Sequence, residues 1–188
     1  MLSRANLNGP NLLTFIRLLV VPILAVGFDS GWNPWLVLII FLLAALTDLL
    51  DGWWARKSGL ITDFGKLADP IADKALTGVA WISLTIAGVI PVVATVLVLV
   101  REVGITVLRL WFRDRMVQAA DQGGKLKTTL QIVVISLLIV TPGYFPTIIW
   151  WGLSVLLWYT VFVTVQTGWN YLRQMKQELA GKKELADD

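Results

Sequence analysis

The stretch "LTDLLDGWWARKSGLITDFGKLADPIADKAL", Leu46 to Leu76, carries Asp48, Asp51, Asp69 and Asp73 through a chain whose flanking sequence is almost continuously apolar. A charged side chain at bilayer depth costs about 2.5–3.5 kcal/mol on insertion scales, so several together must be offset by something specific. On a helix, residues three or four apart share a face, which pairs Asp48 with Asp51 and Asp69 with Asp73. Gly52 and Ala55 continue the stripe after Asp48, and Gly65 precedes Asp69 by one turn. Two carboxylate pairs therefore border a cleft poor in side chains, of a kind that suits a metal ion with a phosphorylated ligand.

Outward from this stretch, the composition sets the class. Of 188 residues, 56% are hydrophobic and only 15% charged, against roughly 25% charged in soluble domains. The mean hydropathy is +0.71. These values predict an all-α integral membrane protein, a single domain over residues 1–188, with no nucleic-acid partner. There is no cysteine, which excludes disulfides, zinc thiolates and thiol nucleophiles. Histidine is also absent, leaving carboxylates as the proton acceptors available for general base chemistry. Arg4 ahead of an apolar run, with Ala25-Val26-Gly27 following, has the outline of a signal peptide. Arg17 interrupts its apolar core, however, and the run is long enough to cross as a helix.

Apolar runs predict six spans, at about 11–28, 34–55, 66–88, 91–112, 127–142 and 147–171. Gly31, Asn33 and Pro34, then Gly88 and Pro91, then Pro142, Gly143 and Pro146 break the chain between them. Those three connections hold no Lys or Arg, whereas the two others hold Arg56, Lys57, Lys66, Arg113, Arg115 and Lys125. The positive-inside rule then places both termini and the basic connections in the cytoplasm. Arg173, Lys176, Lys182 and Lys183 agree, and read most simply as a solvated helix end near anionic headgroups. Trp32, Trp35, Trp150 and Trp151 at one level, and Trp53, Trp54, Trp111 and Trp169 at the other, read as interfacial belts.

With that topology the four aspartates meet at the cytoplasmic ends of the second and third spans. They could serve as ion-pair partners for Arg17, Arg56, Lys74 or Arg101. Crowding four carboxylates into one cleft favours a cation instead, and oxygen-only donors without His or Cys point to Mg²⁺ or Mn²⁺.

Asp48, Asp51, Gly52, Ala55, Arg56, Gly65, Asp69 and Asp73 match, in identity and spacing, the signature of the CDP-alcohol phosphotransferase family, which the chain therefore resembles. The resemblance implies a bundle of six transmembrane helices, a homodimer in the plasma membrane of a bacterium, and a cytoplasm-facing active site. It also implies transfer of a phosphatidyl or similar group from a CDP-activated donor to an alcohol, with release of CMP. Asp48, Asp51, Asp69 and Asp73 would hold two divalent ions, and Asp73 would also be the general base. Gly52, Ala55, Arg56, Thr62 and Gly65 would receive the CDP-donor. Asn11 and Thr14, in "GPNLLTFIR", fall where family members line the same pocket, and equally suit an ordinary helix start.

"REVGITVLRLWFRDR", 101–115, and "GGKLKTTLQ", 123–131, bear on the acceptor. Arg101 and Arg109, with Lys125 and Lys127 leading into the fifth span, are cations suited to an anionic acceptor, because Arg grips phosphate with paired donors and Lys adds a point charge. Arg101, Arg109 and Lys125 are the candidates for the acceptor phosphate. Glu102, seven residues before Arg109, could orient it. Both stretches resemble the branch of the family that transfers a phosphatidyl group from CDP-diacylglycerol to sn-glycerol 3-phosphate. Family alternatives are an inositol-phosphate or a cardiolipin-forming enzyme. From a different class, an ion-coupled transporter would also carry carboxylates in its spans, though near the midplane and within inverted repeats.

Overall fold

The computed structural model describes residues 9–58, 63–112, 122–141 and 147–187, without the side chains of 9–11, 48–58, 63–70, 110, 122–125, 147–148 and 179–187. Six helices occupy these residues: α1 (Gly9–Asp29), α2 (Pro34–Ser58), α3 (Asp63–Ile86), α4 (Val92–Trp111), α5 (Gln122–Val140) and α6 (Thr147–Asp187). There is no strand among the described residues. The helices follow the expected apolar runs, and the breaks after α1, α3 and α5 fall at the Gly and Pro positions that punctuate the sequence.

The chain reverses by the same device after α1 and after α3. Gly31 adopts φ 64° and Gly88 φ 74°, the left-handed region that a residue without Cβ enters at least cost. The Trp32 amide then bonds back to the Gly27 carbonyl at 3.0 Å, and the Val89 amide to the Leu84 carbonyl at 2.9 Å. Each bond captures a carbonyl that the ending helix leaves without an intrahelical partner. After the first turn, Asn33 Oδ1 accepts the Trp35 amide at 2.9 Å, capping α2, with Pro34 in the first helical position.

α3 sits centrally, packed against α1, α2, α4 and α5, while α6 closes the bundle against α4 and α5. Leu24, Phe41, Leu76, Trp81, Val98 and Ile135 are among the side chains that fill the centre. The outer surface is apolar as well: Leu19 is 62% exposed and Val155 71%. Several polar groups lie inside instead, among them Arg17, Glu102, Lys127, Gln131, Thr160 and Thr164. A soluble protein would hide the aliphatic groups and solvate the charges; apolar side chains outside and hydrogen-bonded polar ones inside suit a lipid surround.

α1 over Leu12–Asp29 and α6 over Ile149–Glu178 are long and apolar enough to cross a bilayer. At about 1.5 Å per residue the 41 residues of α6 reach about 60 Å, twice the ~30 Å hydrocarbon thickness. The helix continues from the expected end near 171 to Asp187 because "LRQMKQELAGKKELAD" keeps helix-forming residues after its apolar content falls.

Candidate active site

The acidic stretch falls on the end of α2 and the start of α3. Asp48, Asp51, Gly52, Ala55 and Arg56 lie in the C-terminal turns of α2; Gly65, Asp69 and Asp73 lie in the first turns of α3, and the two helices pack on each other. Asp73 is the one of the four aspartates whose side chain is described. Those of Asp48, Asp51 and Asp69, like those of Asn11, Gly52, Ala55, Arg56, Gly65 and Lys125, lie outside the described residues, as does Thr62 altogether. The Asp73 carboxylate is 26% exposed, open enough to be approached by a ligand. Its Oδ2 accepts a hydrogen bond from Lys74 Nζ at 2.7 Å.

Lys74 leads to a second centre. Its ammonium also lies 3.1 Å from Glu102 Oε2, linking α3 to α4. Glu102 Oε1 accepts from Lys127 Nζ of α5 at 2.6 Å, from Arg101 Nη1 at 3.2 Å and from Gln131 Nε2 at 3.2 Å. Gln131 Nε2 is also 3.2 Å from Thr164 Oγ1, and Arg101 Nη2 donates to Thr167 Oγ1 at 3.0 Å, which brings α6 into the network. Glu102 is 4% exposed and Lys127 5%, so these charges are removed from solvent and must satisfy one another. Among the described side chains, three cations converge here with two carboxylates, Asp73 and Glu102, and the surplus of these five groups is positive. An anion of phosphate type matches that surplus, and paired guanidinium and ammonium donors suit its oxygens.

The described cations do not all gather. Arg101 belongs to the buried cluster, whereas Arg109 lies eight residues further along α4, about 12 Å along its axis. There its guanidinium sits 5.4 Å from the centre of the Tyr171 ring of α6. Glu102, whose spacing would allow it to orient Arg109, does not do so. Its carboxylate is shared instead by Lys74, Arg101, Lys127 and Gln131, from α3, α4 and α5.

Lys74 pairs with Asp73, as one reading of the sequence allowed, and Lys127 is among the expected cations; Gln131 and the threonines of α6 are the members that the motif reading passed over. Their signal is present in the sequence: Lys127 and Gln131 are four apart on apolar α5, and Thr160, Thr164 and Thr167 are three or four apart on apolar α6. A polar stripe at helical spacing on an otherwise apolar helix marks its inward face.

Near the acidic end, Thr14 is 1% exposed, held between the packed helices and not at a solvated helix start. One turn further along α1, the fully buried Arg17 donates from Nε to the Ala44 carbonyl of α2 at 3.4 Å. Thr47 donates to the same carbonyl at 2.7 Å. These bonds tie α1 to the part of α2 that leads into Asp48.

The donor set of the acidic end fits a hard divalent cation. It consists of carboxylates on two packed helices, three or four residues apart on each, in a chain without His or Cys. Among the described side chains, no group of three acidic or other metal-ligating residues comes together.

Residues 7–166 match the family model described as CDP-alcohol phosphatidyltransferase. The chain is 38% identical over 187 residues to the "Probable phosphatidylglycerophosphate synthase" of Mycobacterium tuberculosis, covering 95% of this chain and 87% of that one. It is 36% identical over 179 residues to the "CDP-diacylglycerol–glycerol-3-phosphate 3-phosphatidyltransferase" of Bacillus subtilis, covering 87% and 93% respectively. A Rickettsia felis protein with that same description is 34% identical over 180 residues, covering 93% and 98%.

Proposed function

The chain belongs to the CDP-alcohol phosphatidyltransferase family, and from that premise we propose that it transfers a phosphatidyl group from CDP-diacylglycerol to sn-glycerol 3-phosphate, giving phosphatidylglycerol phosphate and CMP. The observation that carries this reading is the near full-length similarity to relatives described by that reaction. The buried cationic cluster supports an anionic acceptor. Nothing in the comparisons supports the transporter alternative.

In the proposed chemistry the C1 hydroxyl oxygen of glycerol 3-phosphate attacks the donor phosphorus that bears diacylglycerol. The hydroxyl proton passes to the Asp73 carboxylate, and the phosphorus–oxygen bond to CMP breaks, CMP leaving with the electron pair. Asp48, Asp51, Asp69 and Asp73 would hold Mg²⁺ or Mn²⁺, in two ions, which would neutralise charge developing on the phosphoryl oxygens. Gly52 and Ala55 leave room for the cytidine; Arg56, Thr62, Gly65, Asn11 and Thr14 complete the donor pocket. Arg101, Arg109 and Lys125 hold the acceptor phosphate, with Lys127 added by its position beside Arg101 and Glu102.

All six helices cross the membrane in this reading, as a homodimer in a bacterial plasma membrane, with both termini and the aspartate end on the cytoplasmic side. The distribution of Lys and Arg among the connections supports that orientation.

The test is a panel with purified protein, CDP-diacylglycerol, and glycerol 3-phosphate, glycerol or inositol phosphate as separate acceptors, following CMP release. Glycerol 3-phosphate is expected to be used, and free glycerol poorly, because a site built for phosphate leaves its cations unmatched without one. Excess chelator should abolish turnover and Mg²⁺ or Mn²⁺ restore it, while Asp73→Asn should lower kcat with donor binding largely retained. Comparable use of glycerol would sink the phosphate clamp. Preference for inositol phosphate would shift the assignment to that acceptor, and full activity in chelator would remove the metal.

A further inference from the structure

α6 carries no charge where it faces Arg101, yet it shapes the space that this side chain occupies. A Cβ built on the buried Gly168 would lie 2.8 Å from Arg101 Cγ and 3.1 Å from Arg101 Nε. The closer atom is near the base of the side chain and not at its flexible end. It can yield only if Arg101 leaves its χ1 rotamer or α4 and α6 part, and both disturb a packed interior. One residue earlier, the Thr167 hydroxyl donates to the Thr164 carbonyl at 2.9 Å, which leaves its oxygen free to accept from Arg101 Nη2 at 3.0 Å. Glu102 Oε1 takes Nη1 from the other side at 3.2 Å. The guanidinium is thus held at both terminal nitrogens while its stem lies across the bare backbone of Gly168.

We infer that Gly168 and Thr167 are positioning residues for acceptor recognition, making α6 a wall of the acceptor site by seating Arg101 against Glu102. The inference rests on the reading of Arg101 as a ligand of the acceptor phosphate. A side chain at position 168 displaces the whole guanidinium, because rotation about the first side-chain bond carries every atom beyond it. Donor binding is untouched, since the donor residues lie on α1, on α2, at the start of α3 and in the connection between those two.

The test is a double-mutant cycle, with the wild type, Arg101→Ala, Gly168→Ala and the double variant assayed for both substrates and for melting temperature. Loss of a well-placed charge-assisted contact is worth about tenfold or more in affinity, so Gly168→Ala is expected to raise the acceptor KM about tenfold. The donor KM should stay within about twofold, and adding Gly168→Ala to Arg101→Ala should change nothing further, because the two act through one contact. Thr167→Val, nearly isosteric, supplies a second reading free of steric strain, with an expected rise of at least about threefold in acceptor KM. Unchanged acceptor KM in both α6 variants overturns the inference, as does an equal Gly168→Ala effect with and without Arg101. If Arg101→Ala itself leaves the acceptor KM unchanged, the phosphate clamp falls, and this inference with it.

Discussion

A carboxylate buried among three cations is held by charge balance, and Glu102 is the clearest case in the bundle. Each of Lys74, Arg101 and Lys127 places a nitrogen within 3.2 Å of it. Removing one partner of a buried pair leaves uncompensated charge and costs about 3–5 kcal/mol. Glu102→Gln should therefore lower the melting temperature in detergent by on the order of 10 °C, given how a chain of this size converts free energy to temperature. Millimolar phosphate or glycerol 3-phosphate should recover part of the loss by binding the cations left behind, since a ligand of the folded state stabilises it by mass action. An unchanged melting temperature would show that Glu102 does not organise the cluster. At this scale Asp73 and Arg101 were legible because their spacing belongs to a motif. Lys74 and Lys127 were legible as cations near the site, but a lysine in a sequence does not say that a carboxylate on another helix, here Glu102, will be its partner.

The helices themselves were largely legible, since Gly, Pro and Asn mark their ends for reasons of backbone geometry. Gly88 ends α3 at φ 74°, where a side chain meets the backbone and costs roughly 1–2 kcal/mol. Gly152, by contrast, lies exposed within α6, where an added Cβ would meet nothing within 4 Å. Gly88→Ala should lower the melting temperature by about 2–8 °C, whereas Gly152→Ala should leave it unchanged or raise it slightly, because alanine is the better helix former. Equal effects of the two substitutions would mean that the left-handed turn does not limit stability. The end of α6 was less legible, because hydropathy reports where a helix leaves the membrane and not where it stops being a helix. The polar stripes of α5 and α6 were present in the sequence, but their partners could be assigned only once α4, α5 and α6 were packed together.

For the molecule as a whole, the decisive contrast is between an apolar exterior and an interior that holds charge. Arg17 is fully buried while Leu19, two residues along the same helix, is largely exposed. Two residues of an α-helix are about 200° apart, so one faces the bundle and the other its surround. Composition made the membrane class legible, but it could not say which charged residues lie within, because burial of a charge is decided by partners on other helices. In the proposed arrangement the turns at 30–33 and 87–91 face away from the cytoplasm and the end of α6 faces into it. The absence of cysteine makes this directly measurable, since any introduced thiol is unique. Asn33, Ala87 and Gln177 are exposed, so a thiol at each leaves the packed interior in place, Asn33→Cys giving up only the cap of α2. In cells with an intact inner membrane, an impermeant maleimide should label Asn33→Cys and Ala87→Cys, and should reach Gln177→Cys only after the membrane is opened. The reverse pattern would invert the bundle and move the aspartate end away from the cytoplasm. Labelling of Asn33→Cys and Gln177→Cys from the same side would break the count of six crossings, because an even number of passes between residue 33 and residue 177 is incompatible with the five that α2 to α6 supply.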